Sequence, residues 1–250
     1  MGGEQHNWIV PDWEAPPRVR AVSTTRAGGV SPPPYDTLNL GDHVGDDVAN
    51  VAANRQRLRQ ALGLAEEPCW LQQVHSDRVV QVEVAGVHKA DGAFTTRARV
   101  VCAVMTADCL PILLCDQAGT RVGALHAGWR GLAAGIVESG VAALGGRAAS
   151  LMAWLGPAIG PDRFEVGAEV REIFLRTDAG AAVAFTPSDS GRWMADLYGL
   201  ARLRLQRCGV ESIRGGGLCT YKDPQRFFSY RRDRVTGRAA TMIWLESPDA

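Results

Sequence analysis

Short apolar runs bounded by turn residues alternate along this chain with stretches in which apolar residues recur every three or four positions. Pro17–Arg26 alternates and is rich in β-formers, which predicts a strand. Further strands are expected around Val79–Val84 and at Val100–Thr106, Pro111–Cys115, Val122–Leu125, Leu151–Gly160, Ser212–Gly215 and Arg238–Leu245. The uninterrupted apolar runs among these read as strands covered on both faces. A helix is predicted from an Asp46 or Asp47 cap through Leu62, with Gly63 as its stop and Val48, Val51, Leu58 and Leu62 on one stripe. Arg55 and Arg59 fall beside that stripe and are expected to snorkel past it, while Arg57 faces water. One helix is expected over Trp129–Leu144 and two more over Val166–Leu175 and Met194–Cys208. Ala27–Asp47, dense in Gly, Pro and Asp, reads as a long functional loop, and Ala85–Phe94 as a turn. Strands and helices interleave without repeat or linker. The expectation is one α/β (or α+β) domain over residues 1–250, a mixed-sheet sandwich with flanking helices.

Composition narrows the function. The 250 residues are 46% hydrophobic and 22% charged, enough to bury a full core. Lys+Arg and Asp+Glu both number 27, so no general basic field exists to hold nucleic acid or an anionic membrane. No apolar run approaches the ~20 residues that span a bilayer. The opening MGGEQHNWIVPDW lacks the charged-then-apolar pattern of an export signal, and a cytoplasmic protein is expected. None of the six cysteines forms a CxxC pair, so reduced thiols are the default.

Three residues stand out chemically. Cys109 follows Asp108 at the end of one apolar run, His126 closes the next, and His75 lies upstream in LQQVHSDRVV. A strand that ends in His126, turns on Ala127-Gly128 and opens a helix puts the imidazole at a sheet edge where α/β proteins hold ligands. The new helix's free N–H groups and Arg130 suit an anion. The spacings match no zinc finger. Two imidazoles and a thiolate suit zinc or copper with an open position, and the same residues suit a cysteine nucleophile with a histidine base. On spacing alone both readings stay open.

The segments TTRAGGVS, PYDTLNLGDHVGD, QQVHSDRVV, TADCLPILL, HAGWRGL, LGPAIGPDRFEVG and FFSYRRDRVTGRAA, in this order from about Ser23 to Trp244, resemble the YfiH-like, or laccase-domain, family. The resemblance implies that His75, Cys109 and His126 ligate one metal ion, zinc or alternatively copper. It implies phosphorolysis of adenosine, inosine and 5′-methylthioadenosine, and deamination of adenosine. Copper-dependent polyphenol oxidation and peptidoglycan editing are the family's other described roles, and a cysteine-nucleophile hydrolase acting on peptidoglycan precursors is the alternative reading of this chain. The partners would be a purine nucleoside and phosphate, with the chain acting as a monomer. Where many relatives carry Cys-Cys-Tyr after GPAIGP, this chain has Asp162-Arg163-Phe164. Five histidines in total, with His6 and His88 in ordinary polar settings, are too few for a multicopper oxidase.

Phosphorolysis needs anion holders, and Arg26, Arg130 and Arg231 or Arg232 are the candidates, with loop bracing or a surface place as the alternative for each and the first reading for Arg26. Arg130 is expected to act with the metal trio. Asn39 and His43 of the long loop are expected either at the nucleoside or as braces of the loop. Phe227, Phe228 and Tyr230 would stack on a base or fill the core. Asp108 would orient His126 or His75, or cap a helix.

Overall fold

A computed structural model describes residues 7–247, and His6 lies outside them. The strands are β1 (Val19–Ser23), β2 (Leu71–Gln72), β3 (Val79–Gln81), β4 (His88–Lys89), β5 (Gly92–Thr95), β6 (Cys102–Thr106), β7 (Leu110–Asp116), β8 (Val122–Ala127), β9 (Leu151–Leu155), β10 (Glu165–Val166), β11 (Phe185–Pro187), β12 (Trp193–Ala195), β13 (Ser212–Gly215) and β14 (Ala239–Leu245). The helices are α1 (Val48–Leu62), α2 (Trp129–Ala134), α3 (Ile136–Leu144), α4 (Ala168–Thr177), α5 (Leu197–Arg207) and the single turn α6 (Tyr230–Asp233).

Two sheets make the frame. Six strands run in the order β13-β9-β7-β8-β5-β3, and three in the order β1-β14-β6. Alternation along β7 explains how they stack. Leu110, Ile112 and Leu114 face α2, α3, α4 and α5, whereas Leu113 and Cys115 face β6 and β14. β6 repeats the device. Cys102 and Val104 face the large sheet, while Val101, Ala103 and Met105 join a third apolar cluster with Leu38, Leu40, Leu58 and Trp70 under α1 and the long loop. Each buried Leu, Ile, Val or Met among them contributes about 1.5–3 kcal/mol, and a one-residue slip would exchange both faces, so the register is strongly set. β10, β12 and β11 form a small separate sheet, and β2 pairs β4. The result is the expected mixed α/β sandwich.

Several elements differ from their sequence outlines. The helix expected over 129–144 is two helices, because Gly135 sits at φ 108°, where a side chain is strained. The helix expected from Met194 starts at Leu197, since Trp193–Ala195 pair with β10 and β11. Val48 is 74% exposed and leaves the α1 stripe. Asp47 and Gly63 cap α1 as predicted. Arg55 does not merely snorkel: it lies 4.4 Å over Trp70 and donates twice to the Leu40 carbonyl. The turn at 85–94 contains β4 and β5. All six cysteines are free. Among the described residues no helix is long and apolar enough to cross a membrane.

Candidate functional site

His126 occupies β8 two positions after Ala124, on the face that meets β6 and β14. β7 follows β6 through a turn at 107–109 that crosses from the small sheet to the large one. Asp108 makes that turn at φ 95° and Cys109 leaves it. His75, at φ 61°, follows β2. The three residues meet at the end of the seam between the sheets, with all ligand atoms within 4.8 Å of one another. Cys109 Sγ is 3.8 Å from His75 Nε2, and the two imidazoles meet edge to face with centroids 4.8 Å apart. Tetrahedral zinc with N and S ligands needs donor separations of about 3.5 Å, so closure by about an ångström or less completes the set. Gly128 makes the room: a Cβ there would lie 2.7 Å from Cys109 Sγ and 3.1 Å from His75 Cδ2. The donor set and its space therefore fit a divalent ion.

The carboxylate behind the histidines is Asp91, not Asp108. Asp91 is fully buried and accepts from His126 Nδ1 at 2.9 Å, from the backbone N–H groups of Val74, His75 and Ser76, and from Ser76 Oγ. Burial alone would push the Asp91 carboxyl up, but the bonds from His126 and Ser76 outweigh it and hold it well below the usual carboxylate range. Burial would likewise raise the Cys109 thiol, yet His126 and His75 bring it down to about 6. His126 is pushed down by burial and up by Cys109 and Asp91, and settles at about 9. The metal-free pair is thus held toward thiolate and imidazolium, and a bound cation would take the place of the imidazolium proton. Asp108 instead accepts from Thr220 Oγ1 and from the Arg231 N–H, both at 2.6 Å, and so ties the Cys109 turn to α6.

Above the trio opens a cleft of about 500 Å³. Its walls include His43, Trp129, Arg130, Phe164, Tyr230, Arg231, Arg234 and Arg238. Arg130 is exposed and lies 4.4 Å over the Trp129 ring. Arg231 donates from Nη1 to the Glu165 carbonyl and lies over Phe164. Burial, then the neighbouring Arg238, holds the His43 imidazole below its ordinary value, so it is neutral near pH 7.

The structure brings His75, Cys109, His126, Arg130, His43 and Arg231 to this cleft. Arg26 and Asn39 are not among its walls. Arg26 braces the long loop through the Asp36 carboxylate and the Asp36 and Pro224 carbonyls. Asn39 is fully buried; its amide donates to Gly41 and Asp46 and its oxygen accepts from Gly41 and Arg238. Arg232 is spent on the Thr220, Tyr221 and Phe227 carbonyls. Phe227 and Phe228 fill the core, while Tyr230 stands on the rim. His88 lies in β4 beside Leu71. Sequence reasoning passed over Asp91, Arg234, Arg238 and Phe164. An acid wedged between Ala90 and Gly92 just before a strand was the available signal for Asp91.

The chain is 54% identical over 240 residues to a purine nucleoside phosphorylase of Pseudomonas aeruginosa, covering 96% of this chain and 98% of that one. It is 52% identical over 239 residues to the purine nucleoside phosphorylase YfiH of Escherichia coli, covering 95% and 98%. A crystal structure of a Neisseria meningitidis protein superposes with a TM-score of 0.93 at 48% identity, over 96% of this chain and all of that one. The sequence model described as multi-copper polyphenol oxidoreductase laccase matches residues 20–246. With its fold and relatives in agreement over nearly its whole length, the chain belongs to this laccase-like family, which includes YfiH.

Proposed function

We propose that this protein is a zinc-dependent purine nucleoside phosphorylase, acting on adenosine, inosine and 5′-methylthioadenosine, with an adenosine deaminase activity at the same site. The observation that carries the reading is the His75–Cys109–His126 trio on the floor of an arginine-walled cleft. Relatives at 52% and 54% identity bear the phosphorylase name. Cleft residues run from His43 to Arg238, which supports a single catalytic domain. In phosphorolysis a phosphate oxygen bonds to ribose C1′ while the bond from C1′ to the purine nitrogen breaks, giving ribose 1-phosphate and the free base. Arg130 and Arg231 hold the phosphate, neutral His43 bonds the ribose, and Phe164 and Tyr230 flank the base. His75, Cys109 and His126 would hold the ion, which supplies Lewis acidity at its open position. One three-ligand group among the described residues and five histidines in all favour a single zinc over multicopper chemistry.

Purified protein incubated with adenosine, with and without phosphate, and resolved by chromatography tests this. Adenine released only with phosphate, inosine formed without it, and loss of both on chelation or in Cys109→Ala are expected. Full activity and metal content in Cys109→Ala would refute the assignment. The line Asp91–His126–Cys109, with its lowered thiol, also favours a nucleophilic role for Cys109. That reading predicts a trapped covalent adduct on Cys109 and survival of chelation.

A further inference from the structure

Asp91 belongs to none of the residues that touch the cleft, yet both histidines depend on it. Oδ1 accepts from the His75 N–H and from His126 Nδ1, each at 2.9 Å. Oδ2 accepts from Ser76 N at 2.7 Å, Ser76 Oγ at 2.8 Å and Val74 N at 3.2 Å. Its main chain adds two anchors, accepting from His126 N at 2.7 Å and donating to the Arg78 carbonyl at 3.0 Å. One buried side chain therefore grips the turn that carries His75, itself held at φ 61° where non-glycine residues are uncommon, and the ring of His126, which comes from a strand remote in sequence.

We infer that Asp91 is a positioning residue that presets both histidines for metal binding, fixing the His126 proton on Nδ1 so that Nε2 faces the ion. This rests on the zinc reading above. A carboxylate only accepts, so the ring nitrogen against it must be the one bearing hydrogen. In the neutral ring the other nitrogen is then left with its lone pair aimed at Cys109 and His75. Bonds of this kind, from a carboxylate to a ligating imidazole, typically govern metal affinity by 10–100-fold.

Asp91→Asn disturbs both the His126 ring contact and the His75 N–H, which share Oδ1, and the position of the His126 proton is what separates positioning from simple support of the turn. Three donors converge on Oδ2, so the amide oxygen takes that side and the amide N–H₂ faces His126 Nδ1. The His126 proton then moves to Nε2, where it competes with the ion. Ser76→Ala removes a turn bond at Oδ2 but leaves the His126 contact intact. Metal-free protein is titrated with Zn²⁺ against a chromophoric chelator, and long-range ¹H–¹⁵N spectra locate the His126 proton. In the neutral metal-free ring, wild type should carry it on Nδ1. Asp91→Asn should bind Zn²⁺ about 10–100-fold more weakly, with the proton on Nε2, and Ser76→Ala should keep the wild-type proton position and nearly the wild-type affinity. Equal weakening in Ser76→Ala and Asp91→Asn, or a neutral wild-type ring with its proton on Nε2, overturns the inference. Should Asp91→Asn not fold, the wild-type spectrum still decides. Should wild type bind no Zn²⁺, the metal reading fails, while the proton position in the neutral metal-free imidazole still judges Asp91.

Discussion

Replacing Gly128 by alanine should damage the proposed metal site while sparing the fold. The backbone there has φ −67° and ψ 165°, which alanine adopts without strain. The obstacle is contact alone. The new methyl would stand 2.7 Å from Cys109 Sγ and 3.1 Å from His75 Cδ2, against comfortable separations of about 3.5–4.0 Å, so the thiol must retreat by about an ångström. In the metal-free protein Cys109 can rotate away. On the ion, Cys109 and His75 are pinned and the overpacking strain of about 1–3 kcal/mol remains. At about 1.4 kcal/mol per tenfold, Zn²⁺ affinity should fall about 5–150-fold. Loss of glycine at the α2 cap costs a further ~0.5–1 kcal/mol in both states. Chelator competition gives the affinity, and thermal unfolding of the metal-free form gives the baseline. Unchanged affinity, or a decline wholly accounted for by lower metal-free stability, refutes the argument.

Arg231→Met should raise KM for phosphate about 10–100-fold, the weight of one or two charge-assisted bonds, because the backbone N–H that holds Asp108 survives the change; steady-state kinetics against varied phosphate read it, and an unaltered KM removes Arg231 from the anion site. Asp116 closes the β7–β8 turn, accepting from Thr120 N, Thr120 Oγ1, Arg121 N and Arg121 Nε. Asp116→Asn should cost about 1.5–3 kcal/mol in denaturant unfolding near pH 7. Burial pushes the Asp116 carboxyl up but Thr120 and Arg121 outweigh it, so its folded value lies below its unfolded one; its stabilisation is complete above about pH 4 and fades as pH falls further. The variant should lose less stability than wild type between pH 5 and pH 3, and parallel losses would count against that origin.

Those predictions draw on features the sequence disclosed unevenly. The apolar runs of β6, β7, β8 and β9 were readable because strands covered on both faces leave no polar interruptions. The β10–β12 strands were hidden because each is two or three residues long and takes its conformation from its neighbours rather than from a pattern of its own. The break at Gly135 was hidden because a glycine within a helical pattern is usually tolerated. At the site, His75, Cys109 and His126 could be nominated by residue type, since few structural roles call for them at strand ends. Asp91 offered only its place between two small residues, because what singles it out is the convergence of two separate segments, the Val74–Ser76 turn and His126. Arg26 and Arg231 are equally plausible anion holders as letters; only the packing of Arg26 against Asp36, Pro224 and Phe228 tells them apart.

The position of β14 between β1 and β6 bears on how the protein is made. Both flanking strands pair with it along five positions, and until Ala239–Leu245 emerge from the ribosome neither has its partner. Arg238, at the entrance to β14, also walls the cleft. A nascent chain that already holds His75, Cys109 and His126 therefore presents two unsatisfied strand edges and an unfinished pocket. Such edges invite pairing with other chains, and closing them across most of the sequence is slow. Premature termination just before Ala239 should yield aggregates rather than a weakened enzyme.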